Sequence, residues 1–288
     1  MKENMLLKSI ETTRPTVVAW PSGEWDNSLE RAFSAAGISM ERPSNKRQLS
    51  RKIPVLNVLT VLARPSDVLD DVRAGGADGG FTGSDVLSEA GIPVGREVSP
   101  CSLERLPRTV VPLKTLDPDA PQPVVYAGLT PNAIRQRMTL EESVSRGVIY
   151  TSYPQLTRRW LVGLKQEVPI FNTATEMNEW WLQLCSGSTK IESRGGIVPR
   201  SGKVESAWLM NQENYAIVDI SSTGETAEAN SILPIVCLMQ AALMLIRKPD
   251  EQISRTAQRN LADLLSMLQE AAETKGAQEP STTIQAIQ

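Results

Sequence analysis

Short apolar runs alternate along the chain with polar turns and amphipathic segments, and this alternation predicts a mixed α/β fold. The predicted strands are residues 16–20, 55–62, 124–127, 147–150 and 215–218. The run 55–62 is apolar almost without interruption, which is expected for a strand of a parallel sheet covered on both faces. The order of the predicted elements therefore indicates α/β units with parallel strand pairs.

Amphipathic helices are predicted at residues 26–37, 64–75, 153–162 and 251–273. Asp26 is the predicted N-cap of the first helix. The glycine-rich segment 77–85 is predicted to be a turn that leads from a strand into a helix. Residues 232–246 form the longest apolar run, which contains Pro234 and Gln240 and falls short of a membrane span. We predict that this run is a buried helix.

The stretch 215–230 carries the candidate chemistry around which the rest of the chain is interpreted. Asp219 ends a predicted strand, a hydroxyl-rich turn with Gly224 follows, and residues 225–230 favour a helix. A helix N-terminus behind such a turn presents backbone N–H groups to an oxyanion, and glycine lets the backbone approach it closely. The same residue types also build an ordinary capped turn. Both a phosphate site and a structural turn fit this stretch.

The lack of histidine narrows the chemistry more than any other feature of the composition. None of the 288 residues is histidine, which excludes Ser-His-Asp hydrolysis, Cys-His proteolysis and zinc held by imidazole. The remaining means of catalysis are carboxylates, hydroxyls, Lys, Arg, backbone donors or a metal held by oxygen. A net charge of −3 lacks the basic excess of a duplex nucleic-acid binder, so no nucleic-acid partner is expected.

Cysteine usage and the N-terminal sequence favour a cytoplasmic protein. Cys101, Cys185 and Cys237 are odd in number and widely spaced, which suits buried thiols in a reducing compartment better than disulfides. The N-terminal apolar run is interrupted too early for a signal peptide. We expect no association with a membrane.

Four stretches, in order along the chain, resemble the ATP phosphoribosyltransferases that begin histidine biosynthesis. They are residues 21–25 (Pro-Ser-Gly-Glu-Trp), 64–89 with its Gly-Ala-Asp-Gly-Gly-Phe-Thr-Gly core, 151–159 (Thr-Ser-Tyr-Pro-Gln-Leu-Thr-Arg-Arg) and 202–230 with its Asp-Ile-Ser-Ser-Thr-Gly-Glu-Thr loop. The resemblance covers about residues 15–275. We interpret the chain as a divergent member of this family.

The resemblance implies a two-lobed α/β fold of the type II periplasmic-binding-protein kind, with the active site in the interlobe cleft. The expected first lobe is 15–106 together with 233–275, the second is 107–232, and 276–288 is a disordered tail. No strand pattern for the family's extra regulatory domain follows residue 246. The chain therefore resembles the short form, which works with a separate regulatory subunit related to histidyl-tRNA synthetase. A homodimer or higher oligomer is expected.

The implied reaction transfers the 5-phosphoribosyl group from phosphoribosyl pyrophosphate to a nitrogen nucleophile, N1 of ATP in the family, and releases pyrophosphate with Mg²⁺ as cofactor. The resemblance assigns catalytic roles to Asp219, Glu205 and Arg64. The implied substrate-binding residues are Ser221, Ser222, Thr223, Gly224, Glu225, Thr226, Arg47, Gly23, Asp78, Thr82, Gly83, Tyr153 and Arg158. No residue is assigned as a metal ligand. For Asp78, Thr82 and Gly83, a role in turn geometry and capping fits equally well.

Several positions depart from the family pattern. Ser22 and Glu24 stand where Lys and Arg are frequent, and Ser152 replaces a Lys. Each lost charge-assisted contact costs about 1.5–3 kcal/mol, so the acceptor could be another heterocycle or an amine rather than ATP. Residues 172–200, with their tryptophan pair, resemble an insertion. The alternative function is a non-catalytic ligand-binding or regulatory homologue of the same fold.

Overall fold

The structure is a computed structural model that describes residues 14–41, 49–92, 111–112, 123–164, 176, 195–248 and 252–276. Its strands are β1 (Thr16–Pro21), β2 (Ser50–Ile53), β3 (Val58–Ala63), β4 (Gly79–Gly83), β5 (Val111–Pro112), β6 (Val124–Leu129), β7 (Val148–Thr151), β8 (Gly196–Pro199), β9 (Asn214–Ser221), β10 (Leu233–Gln240) and β11 (Leu243–Arg247).

The helices lie mainly between successive strands, as the sequence pattern predicts. They are α1 (Glu24–Ala35), α2 (Pro65–Ala74), α3 (Ser84–Glu89), α4 (Pro131–Arg135), α5 (Leu140–Arg146), α6 (Pro154–Gly163), α7 (Glu225–Ala229) and α8 (Arg255–Gly276), with 3₁₀ helices at Pro54–Leu56 and Val204–Leu209. None of the helices within the described ranges is long and apolar enough to cross a membrane.

The chain divides into two compact units, and each is built on one sheet. The first unit draws on the described residues within Met1–Ser84, Val94–Ala120 and Ala242–Gln288, and the second on those within Asp85–Pro93 and Pro121–Ala241. Of the predicted insertion, only Glu176 and residues 195–200 are described. The predicted α/β class is confirmed in both units.

The first unit has a six-stranded sheet in the order β2-β3-β1-β4-β11-β5. β1 pairs in parallel with both β3 and β4, whereas β2 and β11 run antiparallel to their neighbours. Trp20, Phe33 and Phe81 form its aromatic core, with ring centroids 4.9–5.9 Å apart in edge-to-face contacts. The strands predicted at 16–20 and 55–62 are confirmed as β1 and β3.

The second unit has a five-stranded sheet in the order β10-β6-β9-β7-β8. β9 lies at its centre, antiparallel to β6 and parallel to β7. A fully buried set of residues packs against this sheet, and its members include Val125, Ile149, Leu161, Ile197 and Val218. Because residues of β9 are buried on both faces of the sheet, the strand holds a functional group at its end in a fixed position.

Three sequence predictions of local structure are wrong. The first concerns Asp26, which does not cap α1. The N-cap is Gly23, with φ of 82°, and Asp26 lies inside the helix, where its Oδ1 accepts a hydrogen bond of 2.6 Å from Trp20 Nε1. The carboxyl group therefore ties the helix to β1 instead of capping it.

The centre of the glycine-rich segment 77–85, residues 79–83, is a buried strand rather than a turn. All five residues of β4 are buried, because its neighbours approach too closely for larger residues. A Cβ added at Gly80 would lie 2.6 Å from Val68 Cγ1, and one added at Gly79 would lie 2.9 Å from the Ile246 carbonyl oxygen. These glycines allow close packing in the sheet instead of a reversal of the chain.

The apolar run 232–246 is two strands rather than one buried helix. β10 pairs with β6 in the second unit, and β11 pairs with β4 in the first. The chain therefore passes between the units at Ala241 and Ala242, later than the expected boundary after residue 232. Periodicity alone does not separate a continuous apolar strand from a buried helix, and Pro234 is tolerated in β10 because that strand lies at the sheet edge.

Candidate active site

Strand β9 places Asp219 near the end of the central strand of the second unit. Residues 214–219 are all buried, so the strand holds the Asp219 carboxyl group away from bulk water with only 7% of the residue exposed. Directly opposite on β6, Tyr126 is its partner in the antiparallel register. A carboxyl group in this position is fixed by the sheet rather than by a loop.

The 3₁₀ helix Val204–Leu209 brings a second acid to the same place. Lys203 precedes it with φ of 51°, a left-handed conformation that turns the chain into the helix. Glu205 is buried, with 8% of the residue exposed, and its carboxyl group shares a hydrogen bond with that of Asp219. Two carboxyl groups this close repel each other when both are ionised, which favours a state in which one of them carries a proton.

The environment of the pair keeps that proton bound near neutral pH. Burial is the main cause and the charge of Glu205 the next, and they raise the pKa of Asp219 to about 7. The backbone N–H of Ile220 and the Ser152 side chain act in the opposite direction. The Ser152 hydroxyl lies close to the Arg200 carbonyl oxygen as well, at 3.1 Å. A carboxyl group with this pKa can gain or lose a proton during a reaction at neutral pH.

Tyr126 completes the surroundings of the pair and was not predicted. Burial, followed by the charges of Asp219 and Glu205, raises the pKa of its phenol, and its buried hydroxyl has no hydrogen-bond partner in the part of the chain that the structure describes. Nothing in the apolar pattern around residue 126 distinguishes it from a core tyrosine. Its relation to Asp219 exists only because β6 and β9 pair in this register.

The predicted phosphate loop follows Asp219 directly. Gly224 adopts the left-handed conformation with φ of 80°, and its N–H donates to Ser221 Oγ at 2.9 Å. The N–H of Glu225 donates to Thr223 Oγ1 at 3.4 Å. Two loop hydroxyls thus occupy backbone donors that an oxyanion would use, and a bound phosphate would displace them. Thr223, Glu225 and Thr226 are exposed, and Ser222 is half-buried.

The Tyr153 side chain makes a buried contact within the second unit. Its hydroxyl donates to Asp85 Oδ2 at 2.6 Å, and burial raises the pKa of Asp85 despite that hydrogen bond. Glu89, from the same helix, accepts from the N–H groups of Gln155 and Leu156 at 2.7 and 2.8 Å. These contacts anchor the start of α6, whereas Arg158 further along it is exposed.

The remaining predicted site residues lie in the first unit or outside the described residues. Asp78 accepts from the Val17 N–H at 2.9 Å, and the buried Thr82 hydroxyl donates to the Pro65 carbonyl oxygen at 3.1 Å. Gly83 pairs with Leu243. The residues preceding α1 and α2, Gly23 and Arg64, are exposed. Arg47 lies outside the described residues.

The structure therefore brings together one subset of the predicted residues, Asp219, Glu205 and the loop from Ser221 to Thr226. Within the described ranges, no group of three or more acidic or cysteine side chains converges as a metal site. The arrangement is a buried acid pair at a strand end beside a hydroxyl-rich loop. Chemically, it offers hydrogen-bond acceptors for sugar hydroxyls, donors for a phosphate and a group that exchanges a proton.

Solved structures place the chain in an α/β fold class with two sheet-based units. An ATP phosphoribosyl transferase (HisG:HisZ) complex from Thermotoga maritima contains a chain similar to 90% of this one, over 99% of its own length, with a TM-score of 0.54 and 20% identity. Tv2483, solved with bound L-arginine, has a TM-score of 0.50 at 10% identity and matches 94% of this chain and 90% of its own. At these identities the likeness concerns the fold alone.

Sequence comparison then defines the family. The model of the ATP phosphoribosyltransferase family matches residues 64–270, and the chain belongs to this family. An ATP phosphoribosyltransferase of Methanopyrus kandleri is 25% identical over 82% of this chain, and one of Variovorax paradoxus is 28% identical over 77%. The chain spans 65% of the length of the first relative and 86% of the second. The predicted divergent membership is confirmed.

Proposed function

We propose that this protein transfers the 5-phosphoribosyl group of phosphoribosyl pyrophosphate to a nitrogen nucleophile and releases pyrophosphate. The observation that carries the proposal is the buried Asp219–Glu205 pair immediately before the loop Ser221–Thr226, in a chain of the ATP phosphoribosyltransferase family. The loop would hold the 5′-phosphate through hydroxyls and backbone N–H groups. The acid pair would face the ribose.

The acid pair suits the charge that develops during this transfer. The C1′–O bond to pyrophosphate breaks, a C1′–N bond forms, and positive charge builds up on the ribose in between. One shared negative charge on the pair stabilises that ribose, and its carboxyl oxygens accept hydrogen bonds from the sugar hydroxyls. Because the pKa of Asp219 is about 7, a fraction of the protein is ionised at Asp219 at neutral pH, and this form accepts the proton that the nucleophile loses.

Mg²⁺ is part of the proposal as an ion that arrives with the substrate. The described donor set near the loop is two carboxyl groups, which fits Mg²⁺ because this ion is usually held by one or two carboxylates and otherwise by water and phosphate oxygens. When bound, it would neutralise the departing pyrophosphate. Arg64 is the proposed cationic residue for the anionic groups, and its role rests on the family resemblance.

Two observations bear on which nitrogen compound accepts the phosphoribosyl group, and they favour different acceptors. Family membership makes N1 of ATP the first acceptor to test. However, the neutral Ser152, which stands where the family often has Lys, lies beside Asp219, so this position offers no positive charge to a triphosphate. We therefore include other heterocycles and amines as acceptor candidates, with a non-catalytic homologue as the alternative.

We also propose a homodimer or higher oligomer that acts with a regulatory subunit in the cytoplasm. The support is the Thermotoga structure, which is a complex of two named components, HisG and HisZ. The support for the cytoplasm is the odd number and wide spacing of the cysteines, which suit a reducing compartment.

Ligand-dependent stability tests the binding half of the proposal. At about 100 times its dissociation constant, phosphoribosyl pyrophosphate with Mg²⁺ should add roughly 2.7 kcal/mol of apparent stability, measured as a rise in the unfolding temperature. The double variant Asp219→Ala/Thr223→Ala should lose this rise. The control Glu141→Gln removes an exposed acid from the same unit and should keep it. A well-folded wild-type protein that shows no rise would refute phosphoribosyl binding at this loop.

A further inference from the structure

A cavity in the second unit lies apart from the candidate active site. It has a volume of about 410 Å³ and is lined by Asn132, Arg135, Gln136, Trp208, Leu209 and Gln212. Asn132 reaches the carbonyl oxygen of Asn214 at 3.4 Å, at the start of β9, whereas Ser221 ends that strand. A strand of this length extends roughly 20 Å. The cavity and the proposed phosphate loop therefore lie at opposite ends of β9.

The cavity contains a cation whose orientation is fixed in advance. Arg135 Nη2 donates to Asn132 Oδ1 at 2.6 Å, and its Nε donates to the Pro131 carbonyl oxygen at 3.2 Å. Its guanidinium carbon lies 5.8 Å from the centre of the Trp208 ring. Asn132 is itself held by the carbonyl oxygens of Trp208 and Asn211. The guanidinium group is thus oriented from two sides before any ligand arrives.

Among the residues that the structure describes, no acidic side chain neutralises the positive charge of Arg135. None of the ion pairs formed among the described residues involves Arg135. Its two hydrogen bonds go to neutral oxygens, so the N–H groups of Nη1 remain directed to the surroundings. A fixed, uncompensated guanidinium group binds planar carboxylates well because its fork matches their two oxygens.

The other lining residues define the rest of the ligand. Trp208 and the exposed Leu209 provide an aromatic face and an apolar wall. Gln136 donates to the Tyr215 hydroxyl at 3.3 Å, which leaves its amide oxygen as an acceptor, and the amide of Gln212 is exposed. The amide groups of these two glutamines favour a ligand that has hydrogen-bonding atoms of its own.

We propose that this cavity is a second ligand site that binds a small aromatic carboxylate. The carboxylate pairs with Arg135, the ring packs against Trp208, and a polar ring atom meets the glutamine amides. One cation matches one negative charge, which favours a carboxylate over a phosphate dianion. The volume falls within the range of small-molecule sites. The site does not depend on the proposed function, because it shares no residue with the acid pair or the loop.

Calorimetric titration of the full chain with nicotinate and with nicotinamide tests this proposal. The two probes have the same ring, but only nicotinate carries a carboxylate. Nicotinate should bind, and nicotinamide should bind at least about tenfold more weakly, as expected for one charge-assisted contact. Failure of the wild-type protein to bind nicotinate, or equal binding of the two probes, would overturn the proposal.

Three variants locate the binding. Arg135→Gln should weaken nicotinate binding about tenfold or more, whereas Arg146→Gln removes an exposed arginine from the same unit and should leave it unchanged. Gln212→Glu places a negative charge at an exposed position of the cavity, where folding is not at risk, and should also weaken binding. Unchanged affinity in both Arg135→Gln and Gln212→Glu would show that nicotinate binds elsewhere and would reject the proposed site.

Discussion

At the scale of single residues, the central feature is a pair of acids that the fold withdraws from water. Two buried carboxyl groups that share a hydrogen bond cannot both ionise easily, and the consequence is a pKa of about 7 for Asp219. An exposed aspartate would be ionised well below that pH. The pair is therefore able to change its charge near neutral pH.

This raised pKa predicts how stability depends on pH. Between about pH 4 and 7 the folded state holds a proton on Asp219 that the unfolded chain has lost, so stability falls as the pH rises through this window. Asp219→Asn cannot ionise and should escape this loss, so it should gain a few kcal/mol relative to wild type between pH 4 and 8. Urea unfolding at several pH values measures the difference.

The control for this experiment is Glu141→Gln, which removes an exposed acid. Its urea midpoints should follow those of the wild-type protein at every pH. If Asp219→Asn also runs parallel to wild type across the window, then the Asp219 carboxyl group ionises normally and the account of the acid pair is wrong.

The sequence predicted the acids but not their environment. Asp219 and Glu205 were identified through motifs that resemble a known family, because each lies in a recognisable short block. The contribution of Tyr126 depends on the pairing of β6 with β9, which connects residues far apart in the chain. The proximity of Ser152 to Asp219 depends likewise on the pairing of β7 with β9. Local patterns carry no information on such contacts.

At the scale of elements, β4 shows how close packing selects residues. Its glycines lie where α2, β1 and α8 approach the sheet, and a side chain at Gly80 would meet Val68 and Ala19. The same residues read as a turn in the sequence because glycine is common in turns. The prediction of a turn assumed that glycine is present for its backbone freedom. In β4, glycine is instead required because it has no side chain.

Gly80→Ala tests this explanation. The added methyl group would lie 2.6 Å from Val68 Cγ1 and 3.1 Å from Ala19 Cβ, so helix or strand must shift, and the variant should lose about 1–3 kcal/mol of stability. Chemical denaturation measures the loss. In the control Gly163→Ala, at the end of α6, the new methyl group meets nothing within 4 Å, and stability should be unchanged or up to about 1 kcal/mol higher than wild type. Equal stability of the two variants would contradict the packing account.

The prediction of a buried helix at residues 232–246 is wrong for a different reason. A helix and two successive buried strands both produce uninterrupted hydrophobic sequence, and only the partners decide between them. β10 pairs with β6. After Ala241 and Ala242, β11 pairs with β4. By contrast, β1, α2 and α6 were predicted well because each combines a clear periodicity with its own start or stop signal.

At the scale of the whole molecule, family membership and the acid pair both support the proposed phosphoribosyl transfer. The family model covers residues 64–270, which includes the first-unit segment of β4, the second-unit sheet with its loop and most of α8. Resemblance predicted the α/β class and the family, which the structure and the comparisons confirm. The acceptor, by contrast, depends on side chains at positions where this sequence departs from its relatives.

The most direct test of the central claim is an assay of pyrophosphate release. The protein is supplied with phosphoribosyl pyrophosphate and Mg²⁺, and the acceptors tested are ATP and a panel of heterocycles and amines. We predict turnover with at least one nitrogen acceptor and a fall of about 100-fold or more in Glu205→Gln, while Glu141→Gln retains full activity. If Glu205→Gln, folded as wild type, turned over at the wild-type rate, the acid pair would not be the site of phosphoribosyl transfer.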